Sequence, residues 1–165
     1  MKAGTHVIGG VAAGAAGYSF ISMPFSPDSL YGITFIASGV IGGLLPDICH
    51  PFSWIGRRLR LLSRIIHSIF GHRTVTHSFL FIAVLFLSLG MIEQSWGTPI
   101  QYGITIGAAS HLLLDMLTPR GVALFYPITV NIKAPLTAKT GSIMGEGVIN
   151  LLMILWIVYY GTHLT

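Results

Sequence analysis

The chain has 165 residues, of which 53% are hydrophobic and only 8% charged, with a mean hydropathy of +0.77. Soluble domains carry about 25% charged residues, so these side chains cannot cover a solvated surface and most of the exterior must face lipid. That excludes an ordinary soluble enzyme. The single Cys49 rules out an internal disulfide, and the length suits one integral membrane domain over residues 1–165.

Five apolar segments emerge when charges are used as punctuation: Thr5 to Ser22, Tyr31 to Leu45, Val75 to Ile92, Pro99 to Leu117 and Gly147 to Gly161. The opening MKAGTHVIGG has one Lys before an apolar run, but His6 and the lack of a cleavage region make it a retained segment rather than a signal peptide. Several segments fall short of the ~20 residues that span a hydrocarbon core, and local thinning or burial in a bundle has to make up the difference. In the first two, Gly10 and Gly14, then Gly39 and Gly43, have the small-xxx-small spacing that lets helices approach closely in lipid.

Between the second and third segments, Trp54 to Phe70 reads as an amphipathic helix. Arg57, Arg60, Arg64 and His67 recur at i+3 or i+4 beside Leu61, Leu62, Ile65, Ile66 and Ile69. Such a helix lies on a headgroup layer, drawn by anionic lipid. The apolar face favours a membrane over nucleic acid as the partner of this Arg row, and no nucleic acid is expected. With five crossings, all nine Lys and Arg residues fall on the side that holds the N-terminus, while Asp28 and Glu93 fall on the other. The positive-inside rule puts the basic side in the cytoplasm. The expected fold is therefore all-α: a polytopic membrane helical bundle of about five transmembrane helices and one interfacial helix, with its N-terminus cytoplasmic.

Ionisable groups near a membrane are costly and are functional candidates by default. His6 begins the first segment, Asp47 and His50 end the second, and His72 and His77 open the third. His111 and Asp115 end the fourth, and Glu146 opens the fifth. All map to the basic side, and His111 and Asp115 share a helix face at i, i+4. Imidazole mixed with carboxylate suits zinc, manganese or iron(II), so His6, Asp47, His50, His72, His77, His111 and Asp115 are the expected metal ligands, with zinc first. Glu146 or Asp47 is the expected general base, while Arg73 and Arg120 would steady an anionic substrate. His67 and His163 read as surface and terminal residues. Ser78 and Ser110 adjoin His residues but lack a serine-hydrolase elbow.

Five motifs in order, Thr5-His6, LLPDICH, HRTVTHS, SHLLLDMLTPRG and GSIMGE, span essentially the whole chain. In them it resembles the YdjM-like family of bacterial inner-membrane proteins described as metal-dependent hydrolases. The HxxxD of His111 and Asp115 is also similar to a motif of zinc-dependent phospholipase C and P1 nuclease, although no His follows Asp115 within the next several residues. These resemblances imply a multi-pass protein of the bacterial inner membrane that hydrolyses a phosphoester or lipid-derived substrate at the cytoplasmic face. The rival readings are a divalent-metal transporter or sensor, and a non-enzymatic scaffold whose His and Asp residues form a polar network.

Overall fold

The computed structural model describes residues 1–163. Six α-helices follow one another: α1 (Ala3–Phe20), α2 (Leu30–Leu44), α3 (Arg60–Phe70), α4 (Phe79–Leu89), α5 (Gly97–Met116) and α6 (Glu146–His163). Short 3₁₀ turns at Leu45–Cys49 and Val75–His77 follow α2 and precede α4. The described residues form no strand, only an isolated antiparallel bridge between Val122 and Ile132. The all-helical expectation therefore holds.

The centre of the molecule is the contact of α1, α2 and α5, and glycine makes it possible. A Cβ on Gly10 would lie 2.5 Å from the carbonyl oxygen of Gly39, and one on Gly39 would lie 3.0 Å from that of Gly10. A Cβ on Gly107 of α5 would collide with the same Gly39 carbonyl, and one on Gly103 with that of Phe35. Three backbones thus meet at van der Waals distance with no side chains between them, the close packing that small residues allow in lipid. The spacing of Gly10/Gly14 and Gly39/Gly43 anticipates two of the three partners. Gly103/Gly107 on α5 completes the set.

Outside this trio the usual placement of apolar residues is inverted. No residue of α4 is buried, and Phe79, Leu80, Val84, Phe86 and Leu87 are exposed along it. In α6 only Glu146 is buried, while Leu151, Leu152, Leu155 and Val158 face outward. Exposed apolar surface on this scale marks contact with an apolar medium or a partner. By length and hydropathy one helical stretch, Leu30–Cys49, is sufficient to cross a membrane. The 11 residues of α4 reach only about 16 Å at 1.5 Å per residue.

Two boundaries differ from expectation. The third apolar segment was expected to be helical from Val75, but Ser78 has an extended backbone and its side chain caps α4 by accepting from the Phe81 N–H. His77 is thereby separated from the helix. The amphipathic helix was expected from Trp54 and starts at Arg60, because residues 54–59 are turns. The Ser53 hydroxyl donates to the Asp47 carbonyl at 2.8 Å and accepts from the Gly56 N–H at 2.9 Å, local bonds that compete with helix formation. From Arg60 onward α3 buries only Ser63 and leaves Leu61, Leu62, Ile65 and Ile69 exposed. The His67 Nδ1–H ties it to the Cys49 carbonyl at 3.0 Å.

After α5 the chain wraps back over its C-terminal end. Ala134 N–H donates to Met116 O at 2.9 Å and Ala138 N–H to Leu117 O at 2.7 Å, supplying partners for carbonyls that a helix end leaves open. Leu112, Val122 and Leu124 form a small buried core beneath this loop.

If the glycine contacts hold the bundle together, Gly107→Ala should cost about 1–3 kcal/mol, the range for overpacking a tight site. Gly161→Ala, with nothing within 4 Å of the added methyl, should be neutral or slightly stabilising. Thermal unfolding in detergent checks both, and equal midpoints for the two variants would refute the account.

Candidate metal centre

The glycine-packed helices deliver their polar residues to one end of the bundle. His6 lies in the first turn of α1, Asp47 in the 3₁₀ turn after α2, and His77 in the 3₁₀ turn before α4. His111 and Asp115 are one turn apart near the end of α5. Glycine also sets the fine geometry. A Cβ on Gly43 would sit 2.6 Å from the His6 carbonyl, so α1 and α2 touch where the first imidazole emerges. The Gly43 carbonyl itself accepts from His111 Nδ1 at 2.7 Å. That bond fixes the proton on Nδ1 and turns the Nε2 lone pair inward, the arrangement that orients metal-ligating histidines.

Inside, donor atoms converge. His77 Nε2 stands 3.2 Å from His111 Nε2. Asp47 Oδ1 is 3.8 Å from both, and Asp115 Oδ2 is 3.7 Å from His77 and 3.8 Å from His111. His6 stacks on His111 with ring centroids 3.6 Å apart and planes 12° from parallel. Two groups of three, His6/Asp47/His111 and His77/His111/Asp115, each place their ligating atoms within 4.8 Å of one another. His6, His77, His111 and Asp115 are buried, whereas Asp47 is one-fifth exposed.

Cationic groups surround Asp115. Arg73 Nη2 is 2.7 Å from Oδ2, and the Met1 ammonium donates to Oδ1. His6 Nε2 lies 3.5 Å from Oδ1 without hydrogen-bond geometry, and neither ring nitrogen of this buried imidazole has a hydrogen-bond partner among the described residues. Arg73 is held in the left-handed region at φ 62°, uncommon for a residue with a side chain. Its Nη1 donates to Thr118 Oγ1 at 2.9 Å and to Gly121 O at 3.3 Å. Backbone strain of this kind persists only where surrounding contacts enforce it.

The remaining expected residues sit further out. His72 Nδ1 is 3.2 Å from Cys49 Sγ, and its ring packs edge-on against His50 at 4.7 Å and His77 at 5.5 Å. Burial, and next the neighbouring His50, lower the His72 pKa to about 4, so its imidazole is neutral at neutral pH. His50 contacts His72 and Phe52 rather than the converging atoms. Glu146 is buried beside Thr5: Oε1 accepts from Lys2 N–H at 2.6 Å and Thr5 Oγ1–H at 2.5 Å, and Oε2 accepts from Gly141 N–H. It clamps the start of α1 to the start of α6. Arg120 is exposed on the outer rim, beside Arg73. A cavity of about 360 Å³ opens onto Asp47, His50, His72, Arg73 and Asp115.

Three contributors escaped sequence reasoning: the Gly43 carbonyl, Cys49 beside His72, and Thr118 behind Arg73. Gly43, in SGVIGGLL, carries no sign that its carbonyl will orient a histidine. Thr118, within the TPRG motif beside Asp115, was the one within reach.

This geometry meets its relatives at the level of the whole chain, since the YdjM inner membrane protein family matches residues 1–164. The chain belongs to that family. It is 41% identical over 142 residues to the uncharacterized protein YvsG of Bacillus subtilis (strain 168), an alignment covering 86% of this chain and 83% of YvsG. To the inner membrane protein YdjM of Escherichia coli (strain K12) it is 35% identical over 127 residues, covering 75% of this chain and 65% of that protein. The same figures describe YdjM of Shigella flexneri. The alignment thus spans just under two thirds of both YdjM proteins. No solved structure matches the chain.

The lowered pKa of His72 makes stability depend on pH with a definite sign. The unfolded chain takes up this proton near 6.5 and the folded chain only near 4, so its contribution is complete above 6.5 and is lost as pH falls toward 4. Thermal unfolding of His72→Gln should therefore show a smaller loss of midpoint between pH 7 and pH 4.5 than the parent protein shows. Equal losses would mean that His72 is not held neutral.

Proposed function

We propose that this protein is a membrane-embedded, metal-dependent hydrolase acting at the cytoplasmic face on a phosphoester or lipid-derived substrate. The observation that carries the reading is the convergence of two carboxylates on one pair of imidazoles: His77 Nε2 and His111 Nε2 are 3.2 Å apart, and Asp47 Oδ1 and Asp115 Oδ2 each lie 3.7–3.8 Å from both nitrogens. With His111 Nδ1 donating to Gly43, its Nε2 is an acceptor, so a proton on His77 Nε2 can serve only one of three acceptors. A divalent cation serves them together, and it also gives the unpartnered His6 a partner. Imidazole and carboxylate donors of this kind fit zinc first, then manganese or iron.

His6, Asp47, His77, His111 and Asp115 hold the ion in this reading, with His72 at the rim and His50 outside. A bound divalent ion supplies Lewis acidity, acidifying water and neutralising charge on a phosphoryl oxygen. The protein's own residues do the rest. Asp47, partly exposed to the cavity, accepts the proton from the attacking water. Arg73, its guanidinium set by Thr118 and Gly121, holds an anionic oxygen with charge-assisted bonds. Glu146 serves as the clamp that keeps His6 in place.

The membrane arrangement belongs to the same proposal. α1, α2, α4, α5 and α6 run alternately toward and away from the site, and five crossings put every Lys and Arg on its side. The exposed apolar faces of α4 and α6 meet lipid, and α3 lies in the headgroup layer. Placement of the ligands at helix ends supports hydrolysis over transport, whose sites lie near the bilayer midplane.

The test is turnover of phosphodiesters, phosphomonoesters and phospholipids by the detergent-purified protein. Activity should vanish with a chelator and return with zinc, and Arg73→Gln should lower kcat/KM about tenfold to hundredfold, the worth of a hydrogen bond to a charged group. A zinc-loaded protein that hydrolyses none of these would refute the reading.

A further inference from the structure

Arg73 lines three cavities, one of them shared with His72 and Arg120, and two bear on the site. On one side is the cavity that opens onto Asp47 and Asp115. On the other is a second cavity of about 420 Å³, walled by Arg73, Arg120, Lys139, Thr118, Thr140 and Met1, with no carboxylate in its lining among the described residues. Three cationic side chains and the Thr140 hydroxyl are the donor set of a phosphate site, while the Thr118 hydroxyl, which donates to Asp115 O at 2.7 Å, holds Arg73 in place. The positive-inside bias places basic residues on one side of a membrane, but it does not require them to share one pocket.

This pocket is built into the fold. Arg120 sits in a turn closed by Gly121 N–H to Thr118 O at 3.0 Å, which begins two residues past the end of α5. Lys139 follows Ala138, whose N–H is pinned to Leu117 O at 2.7 Å, and Ser142 N–H returns to Lys139 O at 3.0 Å. Both cations are therefore referenced to the same helix end that carries Asp115. Arg73 is fixed at the wall of this pocket by its Nη bonds to Asp115, Thr118 and Gly121.

We propose that the substrate is a diphosphate, with the phosphoryl group under attack beside Asp47 and Asp115 and the departing phosphate in the Arg73–Arg120–Lys139 pocket. The inference rests on the hydrolase reading above and names its substrate class. Hydrolysis adds water across the P–O–P bridge: the water oxygen bonds to the attacked phosphorus, and the bridging P–O bond breaks. Its electron pair stays on the departing phosphate, and the water protons end on the two phosphate products. Negative charge grows on that departing group as the bond breaks, which is where fixed cations lower a barrier most. A monophosphate ester fills only one of the two compartments and leaves Arg120 and Lys139 unused.

The experiment is calorimetric titration of inorganic pyrophosphate and orthophosphate into the detergent-purified full-length protein, with metal content measured on the same samples. Pyrophosphate should bind at least about tenfold more tightly than orthophosphate, and Arg120→Ala/Lys139→Ala should abolish most of that preference. Lys133→Ala, which removes an exposed cation outside the pocket, should leave it intact. Equal affinities for the two anions, or equal losses in Lys133→Ala and the double variant, would overturn the proposal.

Protein that holds metal but shows no preference fails this inference alone. Protein that holds no metal yet keeps an Arg120- and Lys139-dependent preference supports the anion pocket and refutes the metal centre. A prenyl diphosphate in mixed micelles separates the sources of the shared chemistry. Tighter binding than pyrophosphate assigns the ligand to the bilayer, and equal binding assigns it to the aqueous phase.

Discussion

The backbone contact between Gly39 of α2, Gly10 of α1 and Gly107 of α5 is the constraint on which the rest of this structure depends. In lipid, apolar side chains gain little by leaving one apolar environment for another, so helix association relies on close packing and polar bonds. Bringing three backbones together removes the space that side chains would fill and sets the relative height of the helices to within a fraction of a turn. From that register follow the stacking of His6 on His111, the bond from His111 to Gly43, and the arrival of Asp115 beside both. α4 and α6 pack around this trio without burying an apolar residue of their own.

The same register creates an electrostatic demand. Two carboxylates and three imidazoles meet where burial removes most of the water, and a buried charge must be paired or neutralised. Arg73 and the Met1 ammonium answer for Asp115, but the facing Nε2 atoms of His77 and His111 and the unpartnered nitrogens of His6 remain. Arg73 joins this centre to the cationic pocket beyond it. Its position at φ 62° is enforced by the bonds that hold its guanidinium to Asp115, Thr118 and Gly121. In the proposed reading, metal, arginine and pocket act as one anion-handling device, with the amphipathic α3 at the membrane surface.

Much of this was legible in the residues. The apolar segments located α1, α2, α5 and α6 to within a few residues, because charges and prolines punctuate them clearly. The i, i+4 pair His111 and Asp115 identified itself, since a continuous helix fixes their common face. Asp47, His6 and His77 were legible as members of one end but not as near neighbours, because that depends on helix register set by glycine contacts. His50 and Glu146 show the limit of grouping by side. Both lie at the correct end, yet His50 packs on His72 and Phe52 while Glu146 is consumed by Lys2, Thr5 and Gly141. Local bonds of Ser53 and Ser78 shortened two helices that apolar periodicity alone extended. The Gly103/Gly107 contact was present in the sequence as the same small-xxx-small spacing, on a segment whose polar residues drew attention elsewhere.

The central claim is that the five converging residues bind a divalent ion. Elemental analysis by plasma mass spectrometry on detergent-purified protein, with His111→Ala/Asp115→Ala and His163→Ala prepared in parallel, tests it most directly. The account predicts near-stoichiometric zinc, manganese or iron in the parent protein and in His163→Ala, and its loss from the double variant. Absence of metal from the parent protein after reconstitution, or equal metal in all three samples, would contradict it.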